Sequence, residues 1–176
     1  MVKSKILTIM CGAPGSGKST WLRDNASDAN SIVISRDQIR FEMVPEDEPY
    51  FSKEKDVFKT FIRQIQNAIN NETGPTHIYV DATHMNEAGR RKVLDRLKID
   101  NVQLEAMVFR CSLDETLRRN ALREGRSFVP ETAVINMYNS YEDPAEDTKY
   151  KFDVIYYEKY IGTRSVFIKY RKVGDK

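Results

Sequence analysis

The chain has 176 residues, of which 40% are hydrophobic, and its formal net charge at pH 7 is +2. This length predicts one domain over residues 1–176 with a core that needs no disulfide or metal, and the small charge argues against general affinity for nucleic acids. Two cysteines are too few for a disulfide framework, and no run approaches the roughly 18 apolar residues of a membrane span. We therefore expect a cytoplasmic protein without membrane contact.

The first predicted elements alternate between strand and helix. Residues 5–11 form an apolar run that predicts a buried strand, the glycine-rich segment CGAPGSGKSTW follows, and a helix is expected to begin near Lys18. A short strand at 31–35 then precedes a helix at 36–43, which Asp37 is early enough to cap.

The middle of the chain continues this alternation. Apolar residues recur at spacings of three and four across 52–71, which predicts a helix with one buried face. Residues 76–82 form a strand whose unbroken apolar centre is typical of a parallel sheet covered on both faces. The segment 86–98 is expected to be helical.

The next elements surround an exposed link. A strand at 102–111 leads into a helix at 112–124, for which Gly125 is the expected end. After the link GRSFVP, Pro130 is expected to be the first residue of a helix at 130–141, because a missing N–H donor costs nothing at that position.

Two strands, at 152–158 and 164–170, complete the predicted elements, and a basic run extends over 164–172. Cys11 and Cys111 both lie at predicted strand ends, and we interpret them as two buried thiols rather than a pair. Strands that alternate with helices predict a three-layer α/β domain with a mostly parallel central sheet.

The glycine-rich segment matches G-x-x-x-x-G-K-[ST] between a strand and a helix, which is the context this motif requires. Its backbone amides and the helix N-terminus can bind phosphate oxygens, Lys18 can reach the outer phosphates, and the Ser19 hydroxyl can bind Mg²⁺. We therefore predict a P-loop that binds ATP. Its nucleotide-contacting residues are expected to be Gly12, Ala13, Pro14, Gly15, Ser16, Gly17, Lys18, Ser19 and Thr20.

The class of P-loop protein is indicated by what accompanies the loop. The sequence has no N-K-x-D motif for guanine and is too short for an ABC-type ATPase. Arg119 and Arg123 lie four apart on one predicted helical face, and Arg126 follows. Small phosphotransferases close such a lid, here about 119–130, over ATP, where arginine neutralises charge on the transferring group. The alternative is a solvated basic face.

Asp37 and Arg40 follow the second strand, at the sheet edge where ligands bind in open α/β folds. Asp37 can accept a hydroxyl proton as general base, and Arg40, one turn later, can bind an anionic group of the acceptor. The alternative is that Asp37 only caps a helix and that Arg40 is solvated.

Asp81 ends the predicted strand 76–82, at the position of a Walker-B carboxylate that binds Mg²⁺ directly or through water. A helix-capping role is the alternative. Thr83 and His84 follow toward the acceptor side, and Thr83 is a candidate acceptor-binding residue. His77 is expected to be structural, since two histidines without other clustered ligands do not make a metal site.

With these residues assembled, the chain resembles the 5′-kinase domain of phage-type polynucleotide kinases, within the small P-loop kinases that include zeta-toxin-like enzymes. The likeness lies in four segments between residues 5 and 141, which are ILTIMCGAPGSGKSTW, SRDQIR, DATHMNEAGRR and RRNALREGRSFVPETAVINMY. It implies a P-loop NTPase fold with an arginine-bearing lid.

The resemblance also implies roles for single residues. Asp37 matches the general base for the 5′-hydroxyl, Arg40 matches the arginine that engages the 3′-phosphate of the acceptor, and a lid arginine matches the contact to ATP phosphates. The lid segment LREGRSFVP is one residue longer than in that family, and we assign its main contact to Arg123, with Arg126 in support. The D-x-D motif of the phosphatase that accompanies the phage kinase is absent from this sequence.

We therefore predict a kinase that uses ATP and Mg²⁺ to phosphorylate the 5′-hydroxyl end of DNA or RNA. Alternative acceptors are a nucleoside, a modified DNA base or a small hydroxylated metabolite. A rival of another class is an ATP-binding regulatory module whose slow hydrolysis drives a conformational change.

Overall fold

The computed structural model describes residues 5–170, in which strands and helices alternate in the predicted order. The strands are β1 (Lys5–Cys11), β2 (Ser31–Ser35), β3 (His77–Asp81), β4 (Val102–Val108), β5 (Val154–Ile161) and β6 (Arg164–Tyr170). The helices are α1 (Lys18–Asn25), α2 (Arg36–Met43), α3 (Glu54–Asn70), α4 (Glu87–Leu94), α5 (Leu113–Ala121) and α6 (Glu131–Asn139). Arg171 and Lys172 of the basic run lie outside the described residues.

The strands form one six-stranded sheet in the order β2-β3-β1-β4-β5-β6. Every neighbouring pair is parallel except β5 with β6, so the expectation of a mostly parallel sheet is confirmed. Because parallel strands end at the same edge, the segments that follow β1, β2 and β3 meet there. These are the segments that carry the P-loop, Asp37 and Asp81.

The side chains of β1 alternate between two hydrophobic cores. Leu7 and Ile9 pack on one face of the sheet in a core that includes Phe61 of α3. Met10 packs in a second core with Leu22 of α1. Helices therefore cover both faces, which confirms the three-layer α/β architecture.

The end of α5 and the start of α6 differ from the expectation. The helix α5 ends at Ala121, because the Asn120 amide donates to the Val129 carbonyl at 2.7 Å and accepts from the Val129 N–H at 3.3 Å. Gly125 therefore does not end this helix, and it begins a separate 3₁₀ turn with a φ of 54°. Pro130 precedes α6 rather than being its first residue, since its ψ of 136° is extended.

Two further elements are shorter than predicted. β4 ends at Val108. The N–H of Phe109 still bonds to the Cys11 carbonyl of β1 at 2.8 Å, but that of Arg110 bonds to the side-chain carboxylate of Glu158 at 2.9 Å. The helix α4 ends at Leu94, after which the chain continues in tighter turns to residue 97.

Buried polar groups hold the loop after β3 against the sheet. Arg90 is fully buried, donates from Nε to Asp147 at 2.8 Å, and donates from Nη1 to the His84 carbonyl at 3.0 Å. Cys11 and Cys111 are both free and buried, as expected, and burial raises the pKa of Cys11 to about 12. Across residues 5–170, every helix is too short or too polar to cross a membrane.

Candidate active site

A cleft of about 1490 Å³ opens along the edge where the parallel strands end. It is lined by the P-loop, α2, the end of β3, the lid region and the end of β5. The predicted site residues that line it are Pro14, Gly15, Ser16, Gly17, Lys18, Ser19, Thr20, Asp37, Arg40, Asp81, Thr83, Arg119 and Arg123. Gly12, Ala13 and Arg126 do not line this cleft.

The P-loop has the backbone conformation for which its glycines are needed. Gly15 and Gly17 have φ values of 85° and 105°, in the left-handed region that glycine adopts readily. A Cβ on Gly15 would also lie 2.7 Å from the carbonyl oxygen of Thr116. No side chain caps the N-terminus of α1, so its first N–H groups are directed at the position where a phosphate would bind.

Lys18 is the first residue of α1, and its side chain is buried at the base of the cleft. Its ammonium group donates to the carbonyl oxygens of Gly12 and Ala13, the latter at 3.1 Å. Burial lowers the pKa of Lys18, and the charges of Asp81 and Asp37 oppose this shift. The ammonium group therefore lies within electrostatic reach of both acidic residues.

Asp81 is the last residue of β3 and pairs in register with Ser35 at the end of β2. Burial raises the pKa of Asp81, and the charge of Lys18 opposes this shift. The partly buried Asp81 carboxylate lies in the same cleft as the exposed Ser19 hydroxyl. These two groups fit Mg²⁺, because this ion binds few protein oxygens and fills its other positions with water and phosphate. No cluster of three or more His, Cys, Asp or Glu in residues 5–170 offers an all-protein metal cage.

Asp37 lies in the first turn of α2, but Ser35 is the cap of this helix. The Ser35 hydroxyl accepts from the N–H of Gln38 at 3.5 Å, so the prediction that Asp37 caps the helix is wrong. The Asp37 side chain is 63% exposed, and its Oδ1 accepts from the Tyr50 hydroxyl at 3.2 Å. Its Oδ2 has no hydrogen-bond partner within the described part of the chain and is available to a substrate.

Arg40 is buried, and each of its guanidinium nitrogens has a partner. Nε and Nη2 donate to Glu54 at 3.1 and 2.8 Å, and Nη1 donates to Asp37 and, at 3.1 Å, to Tyr50. The alternative that Arg40 is exposed to solvent is therefore wrong. Its side chain instead orients Asp37. Sequence reasoning missed Glu54 and Tyr50, because no motif or periodicity marks either residue.

Arg119 and Arg123 both line the cleft, although they do not share one helical face. Arg119 lies on α5 and donates to Glu115 at 2.6 Å, whereas Arg123 lies beyond the last residue of the helix. Burial dominates the pKa shifts of Lys18 and Asp81, and the charge of Arg123 lowers the pKa of both groups. Arg123 therefore lines the cleft within electrostatic reach of Lys18 and Asp81.

Arg126 has different surroundings from the other two lid arginines. Its guanidinium carbon lies 5.2 Å from the centre of the Phe41 ring and 5.7 Å from that of Tyr50. Its Nη2 is buried and has no hydrogen-bond partner among the residues described. Arg126 therefore lies beside the aromatic rings next to Asp37, and it does not line the cleft itself.

The residues after β3 support the P-loop. The Thr83 carbonyl accepts from the Gly12 N–H at 2.9 Å, and Thr83 lines the cleft. His84 does not face the acceptor side as expected, since it is buried and its Nδ1 lies 3.0 Å from the Met10 carbonyl oxygen. His77 bonds to hydroxyl groups at 3.0 and 3.2 Å, in agreement with a structural role.

We expect the replacement of His84 by asparagine to flatten the dependence of stability on pH. Burial lowers the pKa of His84 from 6.5 to about 4. Between these values the unfolded chain binds more protons than the folded chain, so the free energy of unfolding falls as the pH falls. Asparagine does not titrate, accepts the φ of 43°, and can still donate to the Met10 carbonyl.

Urea unfolding at pH 7 and pH 5 measures this effect. Wild type should lose about 1 to 2 kcal/mol more stability than His84→Asn between these pH values. His77 is present in both proteins and cancels in the comparison. Equal losses in the two proteins would show that His84 does not carry this pH dependence.

Comparison with known proteins identifies the family to which this chain belongs. A family model described as an AAA domain matches residues 7–144, which include the P-loop, Asp37, Asp81 and the lid arginines. The match covers most of the chain.

Three solved structures share the fold. In two Pnkp1/Rnl/Hen1 assemblies, one described as an RNA repair complex, the matched chains are each 22% identical, with TM-scores of 0.57 and 0.67 over 68% and 80% of this chain. This chain spans only 40% and 45% of those chains. A gluconokinase from Sinorhizobium meliloti 1021 is 17% identical, with a TM-score of 0.52 over 88% of this chain and 84% of its own. At these identities the likeness shows a shared fold alone.

Proposed function

This chain belongs to that AAA-domain family, and on this premise we propose that it is a kinase that transfers the γ-phosphate of ATP to the 5′-hydroxyl of a DNA or RNA end. One observation carries the proposal. The P-loop and an exposed carboxylate on α2 line a single cleft, and Lys18 is within electrostatic reach of Asp37. A nucleotide switch does not need an exposed carboxylate at this point, whereas a kinase needs one beside the attacking hydroxyl.

The donor half of the proposed site is built on β1 and β3. The P-loop amides and Lys18 would bind the β- and γ-phosphates of ATP, and Arg119 would contact the phosphates from the lid. Ser19 and Asp81 would hold Mg²⁺, which neutralises charge on the phosphates when it is bound.

The acceptor half is built on β2 and α2. The sheet order puts β3 between β1 and β2, so Asp81 lies between the donor loop and Asp37. Oδ2 of Asp37 would accept the proton of the acceptor hydroxyl. At the same time the hydroxyl oxygen would bond to the γ-phosphorus, and the bond between the γ-phosphorus and the leaving oxygen of ADP would break. Arg40 holds Asp37 in place, and Thr83, which follows β3, would border the acceptor.

Aromatic rings at the acceptor end favour a nucleotide acceptor. Phe41, Tyr50 and Phe51 line the cleft beside Asp37, and Phe51 is 65% exposed. Exposed aromatic faces stabilise single-stranded bases by stacking, at about 1–3 kcal/mol per base. The RNA repair assembly among the structural neighbours agrees with this proposal. The gluconokinase neighbour, which this chain matches over most of both lengths, favours a small hydroxylated acceptor as the second candidate.

Labelled ATP distinguishes these functions. The protein is incubated with [γ-³²P]ATP and, separately, 5′-hydroxyl DNA, 5′-hydroxyl RNA, nucleosides, nucleoside 3′-phosphates and gluconate. We expect label at the 5′ position of the oligonucleotides. Unlabelled oligonucleotides beside a phosphorylated nucleoside or gluconate would contradict the polynucleotide acceptor, and phosphate release without any labelled acceptor would indicate a regulatory ATPase.

A further inference from the structure

Three cations surround the ring of Phe58, a residue of α3 that lies outside the cleft. The guanidinium carbons of Arg36 and Arg96 lie 5.0 and 5.3 Å from the centre of this ring, and the ammonium nitrogen of Lys92 lies 5.0 Å from it. Each contact between a cation and an aromatic ring is favourable. The three positive charges nevertheless repel one another, because they are gathered at a single ring.

Acidic residues of the chain compensate only one of these charges. Arg36 pairs with Glu54. Asp95 lies between Lys92 and Arg96 in the chain, but its carboxylate pairs instead with a lysine from the segment before β5. Among residues 5–170, neither Lys92 nor Arg96 forms an ion pair, and both are exposed. Their charges are therefore available to an external anion.

The three cations lead from the acceptor end of the cleft to the outer surface. Arg36 is the first residue of α2, directly before Asp37, and it lines the cleft. Lys92 lies on α4 and Arg96 lies in the turn that follows this helix, and neither of them lines the cleft. Because all three contact the ring of Phe58, positive charge continues without interruption from the cleft onto α4.

We propose that Phe58 and its three cations, which we call the α4 surface, bind the phosphate backbone of the acceptor strand beyond its 5′ nucleotide. Proteins bind single strands by combining positive charge along the backbone with aromatic rings, and this binding tolerates any sequence. A small hydroxylated acceptor held in the cleft does not extend to this surface. The inference rests on the proposed polynucleotide kinase function, and it states where the rest of the strand lies.

Acceptor kinetics test the proposal with the double variant Lys92→Ala/Arg96→Ala. Arg36 stays in place, because it is next to Asp37 and pairs with Glu54. The variant should raise the KM for a 5′-hydroxyl strand of about 20 nucleotides roughly 10-fold. Its kcat and its KM for ATP and for a nucleoside 3′-phosphate should stay near wild type. In wild type the KM should fall as the acceptor is lengthened from a dinucleotide, and in the variant this dependence on length should be lost.

The matched control is Arg118→Ala/Lys169→Ala. This double variant also removes one arginine and one lysine from exposed positions, which lie on α5 and β6. Lys169 resembles Lys92 in lying over an aromatic ring, at 5.8 Å from its centre. The control should have the wild-type KM for the strand. An equal rise in both double variants would mean that only net charge matters, and it would overturn the proposal. An equal rise for the strand and the nucleoside 3′-phosphate would also overturn it.

Direct binding separates failure of this inference from failure of the proposed function. Fluorescence anisotropy of a 5′-hydroxyl strand labelled at its 3′ end needs no turnover and is measured over a range of salt concentrations. The slope of the logarithm of the binding constant against that of salt should be shallower by about 1.4 in Lys92→Ala/Arg96→Ala, because each phosphate contact on a single strand contributes about 0.7.

Two outcomes of the binding measurement distinguish the proposals. If wild type binds the strand without phosphorylating it, and Lys92→Ala/Arg96→Ala loses this binding, the polynucleotide kinase function fails and the α4 surface stands. If wild type does not bind the strand, or the double variant binds it with the wild-type affinity and salt dependence, the α4 surface is overturned whatever the activity.

Discussion

Asp37→Asn is expected to lower kcat for phosphoryl transfer by roughly two or more orders of magnitude and to leave ATP binding nearly unchanged. Asparagine has the same shape as aspartate and keeps an oxygen that can accept from Arg40 and Tyr50, so the local structure should persist. It cannot take a proton from the attacking hydroxyl. Steady-state rates at saturating acceptor, with calorimetric titration of ATP, measure the two effects separately.

A matched control for this variant is Asp56→Asn. Asp56 is an exposed acid in the first turn of α3, as Asp37 is in the first turn of α2. Its replacement should leave kcat unchanged. If Asp37→Asn turns over at the wild-type rate, Asp37 is not the base and only pairs with Arg40. If the variant also loses ATP affinity, the substitution has disturbed the cleft rather than removed a base.

The elements that follow from local sequence could be predicted closely. The strands predicted at 5–11 and 31–35 coincide with β1 and β2, because their apolar runs end at glycine-rich or polar segments. The P-loop could also be predicted, since Gly17, one of its two glycines with a positive φ, is a fixed position of the motif. The parallel sheet then followed from the alternation of strands and helices.

The lid was predicted less well, because its geometry depends on contacts between residues distant in sequence. The Asn120 side chain, in the last turn of α5, bonds to the backbone of Val129 across the lid, and the helix ends early. Propensity favoured a longer helix, and this tertiary contact overrides it. As a result Arg123 leaves the helical face that it was expected to share with Arg119.

The acceptor side shows the same limit. SRDQIR predicts an acid and an arginine one turn apart, but not what surrounds them. Arg40 is held by Glu54, 14 residues away, and by Tyr50 in a segment whose prolines and acids indicate only a break in the chain. The pattern therefore identified the residues at this site, while the fold decides which partners they have.

Arg123→Ala is expected to lower kcat by about three orders of magnitude, with a smaller effect on the KM for ATP. In phosphoryl transfer the protein contributes mainly position and charge, and an arginine directed at the transferring group stabilises negative charge that is greatest in the transition state. Arg123 is suited to this role because it lies beyond α5, lines the cleft, and acts electrostatically on both Lys18 and Asp81.

Three comparisons make the result for Arg123 specific. Arg118→Ala removes the same side chain from an exposed position on α5 and should have wild-type kcat. Arg126→Ala should have a smaller effect on kcat, since that side chain lies beside the rings of Phe41 and Tyr50 and does not line the cleft. Arg123→Lys should be more active than Arg123→Ala, because lysine keeps the positive charge but cannot make the bidentate hydrogen bonds of a guanidinium. A kcat near wild type together with a raised KM for ATP would mean that Arg123 binds ATP equally in the ground and transition states, and the lid would then act in binding rather than in catalysis.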